Sequence, residues 1–315
     1  LKLINIMNIF YYSKFPNQSK WLNSLKKKFK GHKIFTVNDN FNYKKIDVAI
    51  VWNLSNTILK KLSNIKVIFS LGAGVDHILK LSSYDKTPII RIKDPIMRER
   101  MFNHVLSQIL NYQLNLILYQ RAQEKKLWLD ERETSLNNDL TIGILGLGYI
   151  GEFVAKKLKK LNYKVIGYKN SVSKSKTSFQ ILTGKKISQF LFLSDVIVSM
   201  LPSTNETADF INKKFLKKMK KNSLLINIGR GESLNEEDLL SHIKSNNNFY
   251  VSLDVFKKEP LQKNHKFWNH PNISITPHIA AITDIESSIN YMHKRFLEFR
   301  KQKKFISDVD FKKGY

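Results

Sequence analysis

Short apolar runs alternate with segments whose apolar positions recur every three or four residues, along almost the whole chain. In the first third the runs predict strands at MNIFYY (7–12), KIFTV (33–37), DVAIVW (47–52), KVIFSL (66–71) and PIIRI (88–92). Between the first two, Trp21, Leu22, Leu25 and Phe29 fall at helical spacing. From the middle onward the strands are TIGIL (141–145), YKVIGY (163–168), DVIVSM (195–200), SLLINI (223–228), FYVSLDV (249–255) and NISIT (272–276). Strands that are apolar throughout and alternate with helices build parallel sheets covered on both faces. Two such blocks predict an α/β chain with two doubly wound parallel-sheet domains. Between the blocks one long helix is expected, from about Met97 to Lys126, followed by a polar arm or linker, WLDERETSLNND (128–139). A last helix, from Asp284 to about Lys304, is expected to return to the first domain. The predicted division is 1–94 with 283–315, and 95–282.

Composition narrows the class. A hydrophobic share of 42% in 315 residues can fill two cores, and no run of 18 apolar residues suggests a membrane span. The opening LKLINIMNIFYY is not read as a signal peptide, because it lacks a basic leader and a small-residue cleavage site. The absence of cysteine excludes disulfides, thiolate metal sites and a cysteine nucleophile, and a cytoplasmic location is expected. Nor do the histidines and carboxylates fall at compact ligand spacing, so no metal is expected. Net charge is +27, which invites a nucleic-acid or acidic-surface reading. The lysines are spread along helix faces, as in LKKKFK (25–30), KKLKK (156–160) and KKFLKKMKK (213–221). That distribution reads as compositional bias on solvated surfaces, with a positive field that favours anionic ligands. No nucleic-acid or membrane partner is expected.

GLGYIG (146–151) has the form G-x-G-x-x-G, weak by itself. Here it follows the strand TIGIL, opens a helix with Ile150, Phe153, Val154, Leu158 and Leu161 on one face, and precedes the strand YKVIGY. That context is what a dinucleotide site requires. Gly146 allows the tight turn, Gly148 lets backbone approach a pyrophosphate, and Gly151 lets helix pack on strand; a ligand-free turn is the alternative. An NAD site usually ends its second strand with an acid that accepts from the ribose 2′-hydroxyl. The corresponding stretch is GYKNSVSKSK (167–176), with Lys169 in the acid's place and Asn170, Ser171, Ser173, Lys174 and Lys176 following. Lysines and hydroxyls suit a 2′-phosphate, so NADPH is preferred and NADH possible, unless the lysines express only the general bias.

Three further loops follow strands of the second block. INIGRGE (226–232) presents Arg230, LDVFKKEP (253–260) presents Asp254 and Glu259, and ITPHIAA (275–281) presents His278. In an open parallel sheet such loops converge on the ligand crevice. With SLGAGVDHIL (70–79), FWNHPNISITPHIAAIT (267–283) and VDFKKGY (309–315), they give the chain a clear resemblance. It resembles the D-isomer-specific 2-hydroxyacid dehydrogenases, most closely the glyoxylate/hydroxypyruvate reductase A branch.

The resemblance implies a Rossmann-type cofactor domain and a flavodoxin-like substrate domain that close over a small pocket. It implies His278 as proton donor to the developing alkoxide, Glu259 as the group that orients its ring, and Arg230 as the grip on the substrate carboxylate and carbonyl. Asp254 would orient the nicotinamide carboxamide. The implied cofactor set is completed by Leu147, Tyr149, Leu201, Pro202, Thr207, Ile228, Gly229 and Ala280, with Ile150 of the glycine turn. On the substrate side it implies backbone N–H groups of Ala73 and Gly74, with Trp52 as a pocket wall or, alternatively, a core residue. Met97 and Arg98 would reach the active site from a hinge. The substrate would be a small anionic 2-keto acid, glyoxylate giving glycolate or hydroxypyruvate giving D-glycerate, and segment 97–139 would mediate a homodimer. Two alternatives stay open: reduction of another 2-keto acid such as phenylpyruvate or pyruvate, and a non-enzymatic NAD(H)-binding regulator of the corepressor type.

Overall fold

A computed structural model describes residues 6–130, 133–170, 177–302 and 304–315. The chain forms two compact units, Leu1–Met97 with Thr283–Tyr315, and Arg98–Ile282.

The first unit holds five strands, β1 (Asn8–Tyr12), β2 (Lys33–Phe35), β3 (Val48–Val51), β4 (Val67–Ser70) and β5 (Ile89–Ile90). All pair in parallel, in the order β2-β1-β3-β4-β5. Every residue of β3 and β4 is buried, as expected for strands with helices on both faces. The strand order reverses between β1 and β3, and Trp52 follows at that point, its N–H bonded to Tyr12 O at 2.9 Å. The C-terminal segment belongs to this unit through identifiable contacts. Helix Ile285–Gln302 lies along helix Gln18–Lys28, with the Phe29 and Phe296 rings edge to face at 5.3 Å. Beyond it, Asp308 N–H bonds Ile89 O at 2.8 Å, and its carboxylate takes Lys93 Nζ at 2.8 Å.

The second unit holds seven parallel strands, β6 (Thr141–Leu145), β7 (Lys164–Lys169), β8 (Gln180–Thr183), β9 (Val196–Ser199), β10 (Ser223–Asn227), β11 (Phe249–Leu253) and β12 (Ile273–Ile275). Their order is β12-β11-β10-β9-β6-β7-β8. The alternation of side chains feeds two cores. Ile142, Ile144, Val196, Val198 and Ile226 pack against Val105, Ile109, Val154 and Leu158 on one face. Leu145, Ile197, Leu225 and Leu253 pack against Phe190, Leu216, Leu239 and Ile243 on the other. The order reverses between β6 and β9, so their carboxyl ends bound the crevice where doubly wound sheets take ligands.

Three local expectations are corrected. The single helix over 97–126 is two, Pro95–Gln113 and Leu116–Glu124, divided at Asn115 with φ 55°. Asparagine tolerates the left-handed region, which ends one helix and starts the next. Strand β8 was not foreseen, because QILT is short and half-buried at a sheet edge, with too few residues to display a period. Leu161 caps the glycine-turn helix (Tyr149–Lys160) and is exposed, so it drops out of the expected face; Val154 and Leu158 are buried with Gly151 and Ala155, and Ile150 and Phe153 pack against the same core half-buried.

Candidate active site

The glycine turn can be tested by asking what a Cβ would meet at each position. Gly146 has φ +100°, where only glycine is unstrained, and a Cβ there would also press on Met200 O at 3.0 Å, at the end of β9. At Gly151 a Cβ would collide with the Gly146 carbonyl. At Gly148, in contrast, nothing lies within 4 Å and φ is −88°. The protein itself does not demand glycine there; open space directly before a helix N-terminus does fit a pyrophosphate. Gly148 is the N-cap and gives no side-chain cap to the first-turn N–H groups. Leu147 packs across Gly167 on β7, and Leu147 and Ile150 both rest on the core. Tyr149 is 40% exposed, and the Arg98 guanidinium stacks over its ring at 5.3 Å and over Phe153 at 4.4 Å. Met97 is buried.

Lys169 ends β7 half-buried, and Asn170 after it is exposed. Ser171, Ser173, Lys174 and Lys176 lie outside the described residues. After β9 the chain runs through half-buried Leu201 and Pro202, and Thr207 Oγ1 closes that loop by donating to Pro202 O at 2.6 Å. Ile228 is buried and bonds Ser199 O at 3.1 Å. A Cβ on Gly229 would come within 2.5 Å of Leu201 O, so the β9 and β10 loops touch backbone to backbone. One on Gly231 would run into the Phe256 carbonyl. The Arg230 loop is thereby fastened to the Glu259 loop, and the guanidinium is steadied by its own Nη1 bond to Gly229 O at 2.9 Å.

Asp254 is 1% exposed at the end of β11. Its Oδ1 accepts from Thr276 Oγ1 at 2.6 Å and Ile279 N–H at 2.8 Å, and its Oδ2 from Ala280 N–H at 2.9 Å. Its carbonyl takes His278 N–H at 2.9 Å. One buried carboxylate therefore shapes the whole 276–280 loop, including His278, whose φ of 55° is in the left-handed region that a histidine seldom adopts. His278 Nδ1 meets Glu259 Oε2 at 2.7 Å, and Glu259 Oε1 takes Phe256 N–H at 3.0 Å. Burial pushes the Glu259 carboxyl up. The His278 bond, the Phe256 N–H and the charges of His278 and Arg230 outweigh it and hold the group below the usual carboxylate range. Arg230, Glu259 and His278, from three separate strand-end loops, thus share one neighbourhood within the second unit. Because Nδ1 faces an ionised carboxylate it carries a proton, and Nε2 is the nitrogen left for reacting atoms.

In the first unit, Ala73 and Gly74 follow β4 and are half-buried. Trp52 is stacked on Phe15 at 4.7 Å and lies directly over Gly72, where a Cβ would come within 2.5 Å of its ring.

The family model for the D-isomer specific 2-hydroxyacid dehydrogenase NAD binding domain matches residues 106–280. The chain belongs to that family. Glyoxylate/hydroxypyruvate reductase A of Serratia proteamaculans is 32% identical over 98% of this chain and all of its own length. Its Yersinia enterocolitica counterpart is 30% identical over the same shares. Among solved structures, an NADPH-dependent glyoxylate/hydroxypyruvate reductase from Sinorhizobium meliloti, in complex with NADP and sulfate, superposes with a TM-score of 0.90. It is 29% identical, over 98% of this chain and 100% of that one. A D-isomer specific 2-hydroxyacid dehydrogenase from Xanthobacter autotrophicus Py2, in complex with NADPH and MES, gives 0.91 at 25% identity over the same shares. The likeness covers both units of this dehydrogenase, beyond the nucleotide-binding part alone.

Sequence reasoning missed two contributors. Thr276 completes the grip of Asp254 on the histidine loop, and nothing in its strand pattern marks it. His104 lies on helix Pro95–Gln113, with Nε2 buried and without a hydrogen-bond partner. Burial pushes its imidazole down against the opposing pull of the Asp254 charge. It lines, with Arg100, Asn103, Ile279, Ala280 and Ile282, a cavity of about 420 Å³ beside the histidine loop.

Proposed function

We propose that the chain is an NADPH-preferring reductase of glyoxylate and hydroxypyruvate, giving glycolate and D-glycerate. The observation that carries the reading is the 2.7 Å contact between His278 Nδ1 and Glu259 Oε2, next to Arg230, in loops that follow strands of the same sheet whose β6 leads into the glycine turn. The names of the relatives support the substrate class, and the NADP- and NADPH-bound neighbours support the cofactor.

The first-turn N–H groups at Gly148 to Ile150 hold the pyrophosphate, with Gly146 and Gly151 keeping the turn close to the sheet. Lys169 and Asn170 face the 2′-phosphate. Leu201, Pro202, Thr207, Ile228, Gly229 and Ala280 line the rest of the cofactor site. Bound NADPH supplies the hydride that the 2-keto carbon receives. Arg230 draws electron density toward the carbonyl oxygen, His278 Nε2 gives that oxygen its proton, and Glu259 offsets the positive charge of the imidazolium until the proton leaves. Asp254 holds the histidine loop, and Oδ2, with one donor of its own, retains a lone pair for a carboxamide N–H. Ala73 and Gly74 N–H groups bind the substrate carboxylate, and Trp52 walls that turn. We further propose a homodimer through segment 97–139, supported by the exposure of Leu127 (55%), Trp128 (98%) and Leu136 (67%). A cytoplasmic location rests on the cysteine-free composition.

The test is a panel of 2-keto acids with NADPH and with NADH, followed by loss of reduced-nicotinamide absorbance. Highest kcat/KM is expected with NADPH and glyoxylate or hydroxypyruvate. Higher kcat/KM with phenylpyruvate or pyruvate reassigns the substrate, and higher values with NADH overturn the cofactor preference.

A further inference from the structure

We propose that His77 and Ser70 form a positioning relay that sets the substrate-carboxylate turn of the first unit, an inference that rests on the role assigned above to Ala73 and Gly74. Ser70, the last residue of β4, is fully buried, and its hydroxyl crosses the turn to donate to Gly74 O at 2.9 Å. A hydroxyl has one proton, so toward His77 Nε2, at 3.2 Å, Ser70 Oγ must accept. His77 Nε2 therefore carries its hydrogen. The other end of the ring agrees independently, because His77 Nδ1 lies 3.2 Å from Asn53 N–H and has to be the bare nitrogen. One tautomer satisfies all three bonds, which run in one direction from Asn53 through His77 and Ser70 to Gly74.

The relay decides which N–H groups of the turn are spoken for. Gly72 N–H points at Ser70 Oγ at 3.4 Å, and Gly72 O accepts from Ile92 N–H at 3.2 Å. Gly74 O is pinned by Ser70. Between these fixed points, and among the described residues, the Ala73 and Gly74 N–H groups have no intramolecular acceptor. Two adjacent donors held from both sides suit one carboxylate. The same imidazole packs on Trp52 with ring centroids 4.3 Å apart, and Trp52 covers Gly72, so the ring that sets the hydrogen bonds also steadies the wall. His77 touches none of the reacting atoms in this scheme; it acts through the turn.

The test compares Ser70→Ala, His77→Leu and His77→Gln with the wild type in steady-state reduction of glyoxylate, with NADPH affinity measured separately. Glutamine retains an amide N–H in place of Nε2, whereas leucine has no donor. Ser70→Ala and His77→Leu are expected to raise KM for the keto acid about tenfold, with kcat within about twofold of wild type and NADPH affinity unchanged. His77→Gln is expected to stay within about threefold of the wild-type KM. If Ser70→Ala fails to fold, the leucine–glutamine pair decides. Unchanged KM in the folded variants, or a loss in which kcat and NADPH affinity fall together, overturns the relay while leaving the reductase reading intact. A wild type that fails to consume NADPH with any 2-keto acid overturns the reductase reading, and the relay with it.

Discussion

His278 Nδ1 stands 2.7 Å from Glu259 Oε2, and the backbone N–H of His278 hangs from Asp254 O at 2.9 Å. The ring is thus fixed through its side chain by one strand-end residue and through its main chain by another. Neither bond uses Nε2. A histidine at φ 55° is costly to hold, by about 1–3 kcal/mol, and the four bonds from the 276–280 loop to Asp254 offset that strain.

Replacing His278 with glutamine removes the proposed proton donor but leaves a polar side chain of similar reach. Turnover should fall by about 100-fold or more, with NADPH affinity nearly unchanged. Steady-state kinetics paired with a fluorescence titration of NADPH measure both; retention of activity would reassign the donor.

Asp254→Asn should act through the loop. An amide has one acceptor oxygen where the carboxylate has two, so at least one of Thr276 Oγ1, Ile279 N–H and Ala280 N–H loses its partner. In a site this buried the expected destabilisation is about 2–4 kcal/mol. Denaturant unfolding measures it, and faster amide exchange at 279–280 should accompany the loss.

Two glycines of the turn should respond in opposite ways to alanine. Gly148→Ala meets open space and should leave the melting temperature nearly unchanged while weakening NADPH binding about tenfold or more. Gly151→Ala drives a methyl into the Gly146 carbonyl and should cost about 1–3 kcal/mol of stability before cofactor is considered. Thermal melts with and without NADPH separate the two, and equal melting losses would contradict the assignment.

Glu259 binds a proton less readily in the folded chain than in the unfolded one, because its partners outweigh its burial. Its contribution to stability is therefore present above the ordinary carboxylate range and disappears as pH falls through the lowered value. Glu259→Gln should melt below the wild type near neutrality, and the gap should close in acid. A gap that widens as pH falls would contradict the ionised state of Glu259.

Much of this was legible in the sequence. The two parallel sheets follow from the alternation of strands and helices, and TIGIL spans β6 residue for residue. Gly146 and Gly151 answer different steric demands of the fold itself, whereas Gly148 leaves open space before the helix N-terminus. That Arg230, Glu259 and His278 would share a neighbourhood was legible because their loops all follow parallel strands. What stayed hidden was cross-loop bonding. That Asp254 shapes the histidine loop depends on three donors 22 to 26 residues away, which no local spacing encodes. His104 was equally silent, since one histidine in a helix carries no sign of the Asp254 carboxylate just past β11. The break at Asn115 depends on a single left-handed residue inside a segment otherwise rich in helix formers.

The central claim is that this chain moves a hydride to a 2-keto carbon while His278 delivers the proton. Its most direct measurement is a stoichiometric assay of purified protein with NADPH and glyoxylate, quantifying NADP and glycolate together. One NADP for each glycolate is expected with wild type, and neither product above background with His278→Gln. NADPH that stays bound and unoxidised in the presence of glyoxylate and hydroxypyruvate would contradict the account.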